Sequence, residues 1–251
     1  MTQTQNVGAI LDLHCHTVIG SGDSQLTLRR LATAAQKHHL TACCVTDHDY
    51  VWSDHDAVYF SQCIGVTFVC GIEVTTNLGH VIAYGLDRFV PEMADATFLR
   101  KEVSAAGGIM IAAHPFRGTL TGITTSEGRP RYTSIDEAAS AAIFSLVDEV
   151  EVLNGGTDPL ENFLALSVAR QLGFHGVGGS DAHTDERVGK YVTLFDTVIA
   201  TVPDLIREVK AGRLRAAAWD EVSSPTHTAH TWEIASASYE TQLQDALALL
   251  R

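Results

Sequence analysis

The sequence has no long hydrophobic run, no excess of basic residues and no paired cysteine spacing, and each absence removes a class of protein. Its longest apolar stretches, such as Ile109-Met110-Ile111-Ala112-Ala113, are strand-length, whereas a membrane-spanning helix needs about 20 apolar residues. The opening segment, Met1 to Gly8, is polar and has neither the basic nor the apolar region of a secretory signal. With 17 basic and 30 acidic residues the formal net charge is −13. A chain this acidic lacks the basic footprint that duplex nucleic acid requires. It can still take a small anion if metal cations supply positive charge locally. The five cysteines, Cys15, Cys43, Cys44, Cys63 and Cys70, are odd in number and show no CxxC spacing. Reduced thiols in a cytoplasmic protein are therefore expected rather than a disulfide framework.

What is present describes a globular α/β chain. Its 251 residues are 45% hydrophobic and 19% charged, enough apolar mass for one large core and a length that fits one α/β barrel. Short β-branched stretches predict strands over 9–13, 41–46, 66–74, 80–84, 109–113, 149–153, 176–179, 192–195 and 214–218. Helical periodicity predicts helices over 24–38, with Ser24 as cap, and over 53–63, 96–106, 135–146, 159–172 and 203–210. Strands alternating with helices imply βαβ units, a mostly parallel sheet and a barrel or near-barrel. Residues 1–222 make the expected domain, 1–8 being a flexible start. Residues 223–251 are a tail rich in Ser, Thr and His, with a short amphipathic helix over 239–250 expected to pack on the barrel. The polar stretch 118–133, with Arg129 and Arg131, is long for a connection and is expected to be functional or mobile.

The chain holds 12 histidines, and their positions matter more than their number. His14 and His16 form an HxH after the first predicted strand. His48 follows the second in Thr46-Asp47-His48-Asp49, Glu73 ends the third in Gly71-Ile72-Glu73, and His80 opens the fourth. His114 follows the 109–113 strand, before Pro115. Asp181 and His183 form a DxH after Gly178-Gly179-Ser180. In a parallel barrel the carboxyl ends of the strands converge on one face, where active sites form. An HxH on an extended segment points both imidazoles the same way, so each pair can chelate one ion. Imidazole plus carboxylate suits zinc, manganese or iron. A single strand-end histidine is ordinarily a satisfied polar group; this many at successive strand ends point to a metal site. Cys15 faces away from its flanking histidines and, like His55, His175, His227 and His230 outside the pattern, is read as structural; His38 and His39 end a predicted helix, where a cation suits the dipole, and are read as surface residues.

The arrangement resembles the PHP (polymerase and histidinol phosphatase) family of metal-dependent phosphoesterases. Its four motifs stand in family order as Asp12-Leu13-His14-Cys15-His16-Thr17, Thr46-Asp47-His48-Asp49, Ala113-His114-Pro115 and Gly179-Ser180-Asp181-Ala182-His183. The resemblance covers residues 9–220 and implies a distorted (β/α)7 barrel holding two to three divalent ions, zinc, manganese or iron. It implies that His14, His16, Glu73 and Asp181 hold the first ion. Glu73 would bridge to a second, held also by His114 and His80. Asp23, in Ser21-Gly22-Asp23-Ser24, would hold the third with His48 and His183. The implied chemistry is phosphoester hydrolysis, in which such ions clamp phosphate oxygens and activate water for in-line attack. A cation for the remaining phosphate oxygens is also needed. Arg117, three residues after His114, is the first candidate, with Arg187 and Lys190 after the DxH as further ones. Asp12 and Asp47 adjoin implied ligands and either orient an imidazole or cap loops, which makes Asp47 a candidate for the chemistry. Asn154 ends a strand on the same face and is a candidate substrate contact.

The expectation is a phosphoesterase for a small phosphomonoester. The alternatives are a nuclease or nucleotide phosphatase, a non-catalytic metal-bound regulator, and a barrel metallohydrolase of C–N bonds. Only residues 86–113 separate the fourth predicted strand from the HP motif, so the long insertion of the nucleotide-handling branch is short or absent. No polymerase segment accompanies the domain, and the acidic charge opposes a long nucleic acid. A regulator would lack ligands, and none is clearly missing. The C–N hydrolases usually carry a metal-bridging lysine, and none of Lys37, Lys101, Lys190 and Lys210 ends a predicted strand.

Overall fold

The computed structural model describes residues 7–120, 132–218 and 230–250. Within them the strands are β1 (Ala9–Asp12), β2 (Ala42–Val45), β3 (Phe68–Cys70), β4 (Ile72–Thr76), β5 (Gly79–Tyr84), β6 (Ile109–Ala112), β7 (Glu149–Asn154), β8 (Val177–Gly179), β9 (Tyr191–Phe195) and β10 (Leu214–Ala218). The helices are α1 (Leu28–Lys37), α2 (Asp54–Ile64), α3 (Ala96–Ala105), α4 (Ile135–Ala139), α5 (Pro159–Leu172), α6 (Val202–Lys210) and α7 (His230–Ala248). Six of these begin at a capping side chain: Thr27, Ser53, Asp95, Ser134, Asp158 and Thr201 each accept from a backbone N–H of the first turn. The cap of α1 is thus Thr27, and Ser24 instead donates its hydroxyl to the His16 carbonyl at 2.8 Å. The helix expected over 135–146 ends at Ser140, and a 3-10 turn, Ala142–Ser145, follows it.

The α/β class expected from the sequence holds, but among the described residues the strands do not close into one continuous barrel. The strands make two five-stranded sheets, ordered β10-β9-β1-β2-β3 and β4-β5-β6-β7-β8. Pairing is parallel for β1/β2, β2/β3, β6/β7 and β7/β8, but antiparallel for β1/β9, β9/β10, β4/β5 and β5/β6. The single strand expected over 66–74 divides at Gly71: β3 pairs into the first sheet and β4 into the second. A Cβ at Gly71 would lie 2.7 Å from the Ala83 carbonyl oxygen and 2.8 Å from the Tyr84 ring, so only glycine lets the chain cross there.

Among the described residues no ladder joins the two sheets; isolated bridges do, at the carboxyl ends. On one seam His48 bridges Glu73, with Glu73 N–H donating to the Asp47 carbonyl and Asp49 N–H to that of Glu73 (3.1 and 2.9 Å). On the other Cys15 bridges Ala182, and His16 N–H donates to the Ala182 carbonyl at 2.9 Å. A side chain completes this second seam: the Thr193 hydroxyl accepts from Gly178 N–H and donates to the Gly178 carbonyl, both at 2.9 Å. Inward side chains of both sheets, among them Leu11, Cys44, Val69, Ile82, Ile111 and Val177, form one buried cluster. Each such burial stabilises by about 1.5–3 kcal/mol. Tyr84, fully buried, donates its hydroxyl to the Leu13 carbonyl at 2.9 Å, which anchors the chain just before the HxH.

Leu243 and Leu247 of α7 are buried with Phe163 and Leu164 of α5, and the Tyr239 ring stacks on Phe163 at 5.7 Å. No described helix is long and apolar enough to cross a membrane. Most of the 118–133 stretch, with Arg129 and Arg131, lies outside the described residues, as do His227 and the start of the tail.

Thr193→Val keeps the shape of the side chain and removes both bonds to Gly178. Leaving buried peptide groups without partners costs about 1–3 kcal/mol, so urea unfolding should show a loss of that size. An unchanged midpoint would mean that the seam needs no hydroxyl.

Candidate metal centre

The motif-bearing segments that close the seams also deliver the predicted side chains to one place. Glu73 lies in β4 and is fully buried. Its Oε2 is 3.1 Å from His48 Nδ1, 3.2 Å from His16 Nε2 and 3.4 Å from His14 Nε2. Its Oε1 is 3.0 Å from His80 Nδ1 and 3.1 Å from His114 Nε2. The Nε2 atoms of His14 and His16 lie 3.0 Å apart, while Cys15 turns away toward the Ser180 hydroxyl. Asp181 Oδ1 is 3.2 Å from His16 Nε2 and 3.6 Å from His14 Nε2. At the exposed rim Asp23 Oδ2 lies 3.2 Å from His183 Nε2 and 3.7 Å from His48 Nε2.

Four overlapping triads place their donor atoms within 4.8 Å of one another: His14-His16-Glu73, His14-His114-Asp181, Glu73-His80-His114 and His16-His48-His183. Their chemistry fits a divalent ion. Glu73 Oε2 is buried and has no hydrogen-bond partner, although three imidazole nitrogens crowd it. A buried carboxylate oxygen is not ordinarily left so, and a cation among those nitrogens would satisfy it.

The two HxH rings are held from behind. His14 Nδ1 donates to Glu151 Oε1 at 3.0 Å. His16 Nδ1 donates to the Ser21 hydroxyl at 3.1 Å, and that hydroxyl donates to Asp47 at 2.8 Å. Both arrangements place the Nδ1 proton on the outer side and leave Nε2 facing the cluster, as imidazole ligation requires. Asp47 itself stands behind the centre. It is fully buried, and its oxygens also accept from Thr17 N–H, the Thr17 hydroxyl and Trp52 Nε1. It therefore orients His16 through Ser21 and has no edge facing substrate. Asp12 accepts from the N–H groups of His14, Ser180 and Gly189 and ties loops together.

Arg117 reaches the cluster. Its Nη2 donates to Asp181 Oδ2 and, at 2.7 Å, to Asn154 Oδ1, and its Nε donates to the Thr157 hydroxyl at 3.3 Å. These contacts occupy one edge of the guanidinium. Asn154 is fully buried, so it positions Arg117 rather than facing the opening. Lys190 Nζ donates to the Gly155 carbonyl at 3.0 Å. Arg187 is exposed, and among the described residues no hydrogen bond or ion pair of the cluster involves it.

Electrostatics separate the rings. Burial opposes a charge on His14, yet Glu151, Glu73 and Asp181 hold its pKa well above the ordinary value. Burial likewise opposes a charge on His16, but Asp181 and Glu73 outweigh it and push its pKa up to about 9. His114 goes the other way: burial, helped by Arg117, pushes it down to about 4. Burial raises the carboxyl groups of Glu73 and Asp181, but the imidazoles around them, His14 first, hold both well below the usual range. His114 (φ +28°) and Asp181 (φ +52°) also occupy the left-handed region, which costs of order 1–3 kcal/mol for such residues.

Glu151 and Ser21 are the functional residues that sequence reasoning missed. Glu151 sits in the alternating stretch Glu149-Val150-Glu151-Val152, which reads as a strand with one wet face. In fact β7 lies between β6 and β8, and every residue of it is buried.

A model of the PHP-associated family matches residues 159–214. An uncharacterized protein of Methanocaldococcus jannaschii is 28% identical over 167 residues, 62% of this chain and 88% of the relative. Among solved structures, a provisionally assigned metal-dependent phosphoesterase from Bifidobacterium adolescentis superposes with a TM-score of 0.53 at 19% identity, covering 70% of this chain and 88% of that one. PsfC from Pseudomonas syringae gives 0.58 at 18%, covering 94% and 98%. An amidohydrolase from Chromobacterium violaceum, solved with bound sulfate and no metal, gives 0.51 at 17%, covering 85% and 99%. These likenesses show a shared fold. The family model covers 56 of the 251 residues, and its match agrees with the four PHP-type motifs standing in order.

The raised pKa values have a measurable consequence. At neutral pH the metal-free rings of His14 and His16 carry protons that a divalent ion must displace. Zinc or manganese binding should therefore release protons at pH 7, with affinity rising toward pH 9; calorimetry in buffers of different ionisation enthalpy reads the number. For stability, His16 has a folded pKa above its ordinary value of about 6.5. Its contribution is complete below about pH 6.5 and is lost as pH rises through about 9. Chelator-treated protein should therefore melt at lower temperature at pH 9 than at pH 7. No proton release, or a flat melting profile, would mean that the rings are neutral.

Proposed function

We propose that this chain is a metal-dependent phosphoesterase that hydrolyses a small phosphomonoester. One observation carries the reading: a cluster of metal-type donors shares Asp181 with a guanidinium, Arg117, whose second edge is uncommitted. In this reading His14, His16, Glu73 and Asp181 hold one divalent ion, and Glu73, His80 and His114 a second. Asp23, His48 and His183 hold a third at the rim. Bound there, such ions polarise phosphate oxygens, lower the pKa of water and neutralise charge on the leaving oxygen.

The protein's own part is placement. Glu151, and Asp47 through Ser21, keep the HxH rings oriented. Asp181 and Asn154 hold Arg117 beside the ions, where its free Nη1 can take an oxygen of a bound phosphate in the planar geometry that suits guanidinium. Lys190, whose Nζ lies on the Gly155 carbonyl, and Arg187 are further candidate cations for the same group. The bound sulfate of the amidohydrolase neighbour, a tetrahedral oxyanion, supports a site of this kind. Hydrolysis of a C–N bond is the less favoured reading, because the chain's lysine nearest in sequence to the DxH, Lys190, donates to the Gly155 carbonyl rather than to a donor of the cluster. The net charge of −13 favours a small substrate over a nucleic acid, and the chain is proposed to act in the cytoplasm.

A panel of phosphomonoesters assayed with manganese or zinc tests the reading. Activity should vanish with chelator and return with metal. His14→Ala and Asp181→Asn should abolish it while the fold survives; turnover without any metal, or activity only on C–N substrates, would sink the proposal. Arg117→Ala should lose roughly 1.5–3 kcal/mol, the scale of a hydrogen bond to a charged group, or about 10- to 150-fold in kcat/KM. Arg117→Lys should recover only part, since a point charge cannot replace the fork. Wild-type kinetics in Arg117→Ala would assign the phosphate to other cations.

A further inference from the structure

Glu151 lies outside the motifs, and its contacts reach beyond the His14 ring that it orients. It is a buried carboxylate in the middle of the second sheet, and three donors from three strand ends converge on it. Oε1 accepts from His14 Nδ1 at 3.0 Å. Oε2 accepts from the His114 N–H at 2.8 Å and from Asn154 Nδ2 at 2.9 Å. An ionised carboxylate only accepts, so it satisfies all three at once. The neutral amide of glutamine cannot, because whichever way it turns its NH2 meets at least one of these donors.

Each contact has a consequence beyond itself. The bond to His14 puts that ring's proton on Nδ1 and turns Nε2 to the cluster. The bond to the His114 N–H holds the backbone where it takes its left-handed φ of +28°. The bond from Asn154 Nδ2 sets the orientation of that amide, so that Oδ1 faces the other way. There it accepts from Gly156 N–H at 2.8 Å, from the Thr157 hydroxyl at 3.0 Å and from Arg117 Nη2 at 2.7 Å. Gly156 leaves room for this: a Cβ there would lie 2.9 Å from Arg117 Nη2.

We propose that Glu151 is a positioning residue that sets two arms of the site together, the His14 ring on the metal side and, through Asn154, the Arg117 guanidinium on the phosphate side. The inference rests on reading the cluster as a metal-dependent phosphoester site and adds a branch point to it. The network has a direction. Changing Glu151 disturbs both arms, whereas changing Asn154 disturbs only the Arg117 arm.

The test measures binding rather than turnover. Cobalt(II) affinity is read by competition with a chromophoric chelator, the cobalt absorption spectrum reports the ligand field, and calorimetry gives inorganic phosphate affinity for the metal-loaded protein. Glu151→Gln should weaken cobalt binding about 10- to 100-fold, the usual effect of losing a carboxylate behind a ligand imidazole. It should also alter the spectrum and weaken phosphate binding. Asn154→Ala should keep the cobalt affinity and spectrum of the wild type and weaken phosphate alone. A Glu151→Gln protein with wild-type cobalt affinity and spectrum overturns the inference while leaving the site reading intact; a wild-type chain that binds no cobalt overturns both. If Glu151→Gln does not fold, Glu151→Asp, which keeps the charge but shortens the reach, should show the same two losses. Unchanged phosphate affinity in Asn154→Ala overturns the branch to Arg117 independently of any change at Glu151.

Discussion

The carboxylate of Glu73 is the constraint around which the rest of the molecule is arranged. It is removed from water, and five imidazole nitrogens from five places in the chain stand within 3.4 Å of its oxygens. A buried charge is costly unless it is paired, and here the pairing draws chain segments from both sheets. Glu73 also bridges His48 at the seam. The residue that closes the gap between the sheets is therefore the residue that gathers the donors. Architecture and site are one problem: two sheets that do not share a ladder meet through segments whose side chains are polar, and those side chains compensate one another in the middle.

Such compensation is incomplete with protons alone. The two HxH nitrogens face one another at 3.0 Å, the Glu73 Oε2 atom is unsatisfied, and His114 and Asp181 hold backbone angles that these residue types seldom adopt. Local preferences elsewhere agree with the fold: the helices start at Ser, Thr or Asp caps, and α2 and α5 end at left-handed glycines, Gly65 and Gly173. The disagreements collect at the donor cluster. A site whose members are mutually unfavourable without a cation is one in which the cation contributes to holding the fold as well as to chemistry.

Much of this was legible in the sequence, and the limits have physical reasons. An HxH on extended chain must point both rings one way, so the convergence of His14 and His16 follows from period two alone. Strand identity was also readable from β-branched runs. Strand direction was not, because alternation looks the same in parallel and antiparallel pairs. The distorted-barrel expectation was met only in part for that reason, and because Gly71 splits one apolar run between two sheets. The Asn77-Leu78-Gly79 turn, which makes β4 and β5 a hairpin, was the available sign of antiparallel pairing. Glu151 was invisible for a related reason: an acidic residue in an alternating strand reads as solvent-facing until the strand is known to lie inside its sheet. Asp47 adjoins a candidate ligand histidine in sequence, but adjacency on an extended chain places it on the opposite side, where Thr17, Ser21 and Trp52 enclose it.

The charge balance gives the site its direction. The chain carries −13, and Glu73, Asp181, Glu151 and Asp23 bring four carboxylates to the centre, so without cations an approaching anion meets a potential of its own sign. In the metal-free pocket the opposing charge comes from Arg117 and from the protons on His14 and His16. A divalent ion that displaced the protons of both His14 and His16 would leave the charge at that point unchanged, so any gain in positive charge would come from ions at Glu73-His80-His114 and at the rim, inside a low-dielectric wall where each charge acts strongly. Those ions would carry the pocket toward net positive while the outer surface stays acidic. Anion binding and metal binding are then linked, each raising the affinity for the other by the same factor. Arg117 is the fixed cation in that exchange, because a guanidinium keeps its proton across the whole range in which the imidazoles give theirs up.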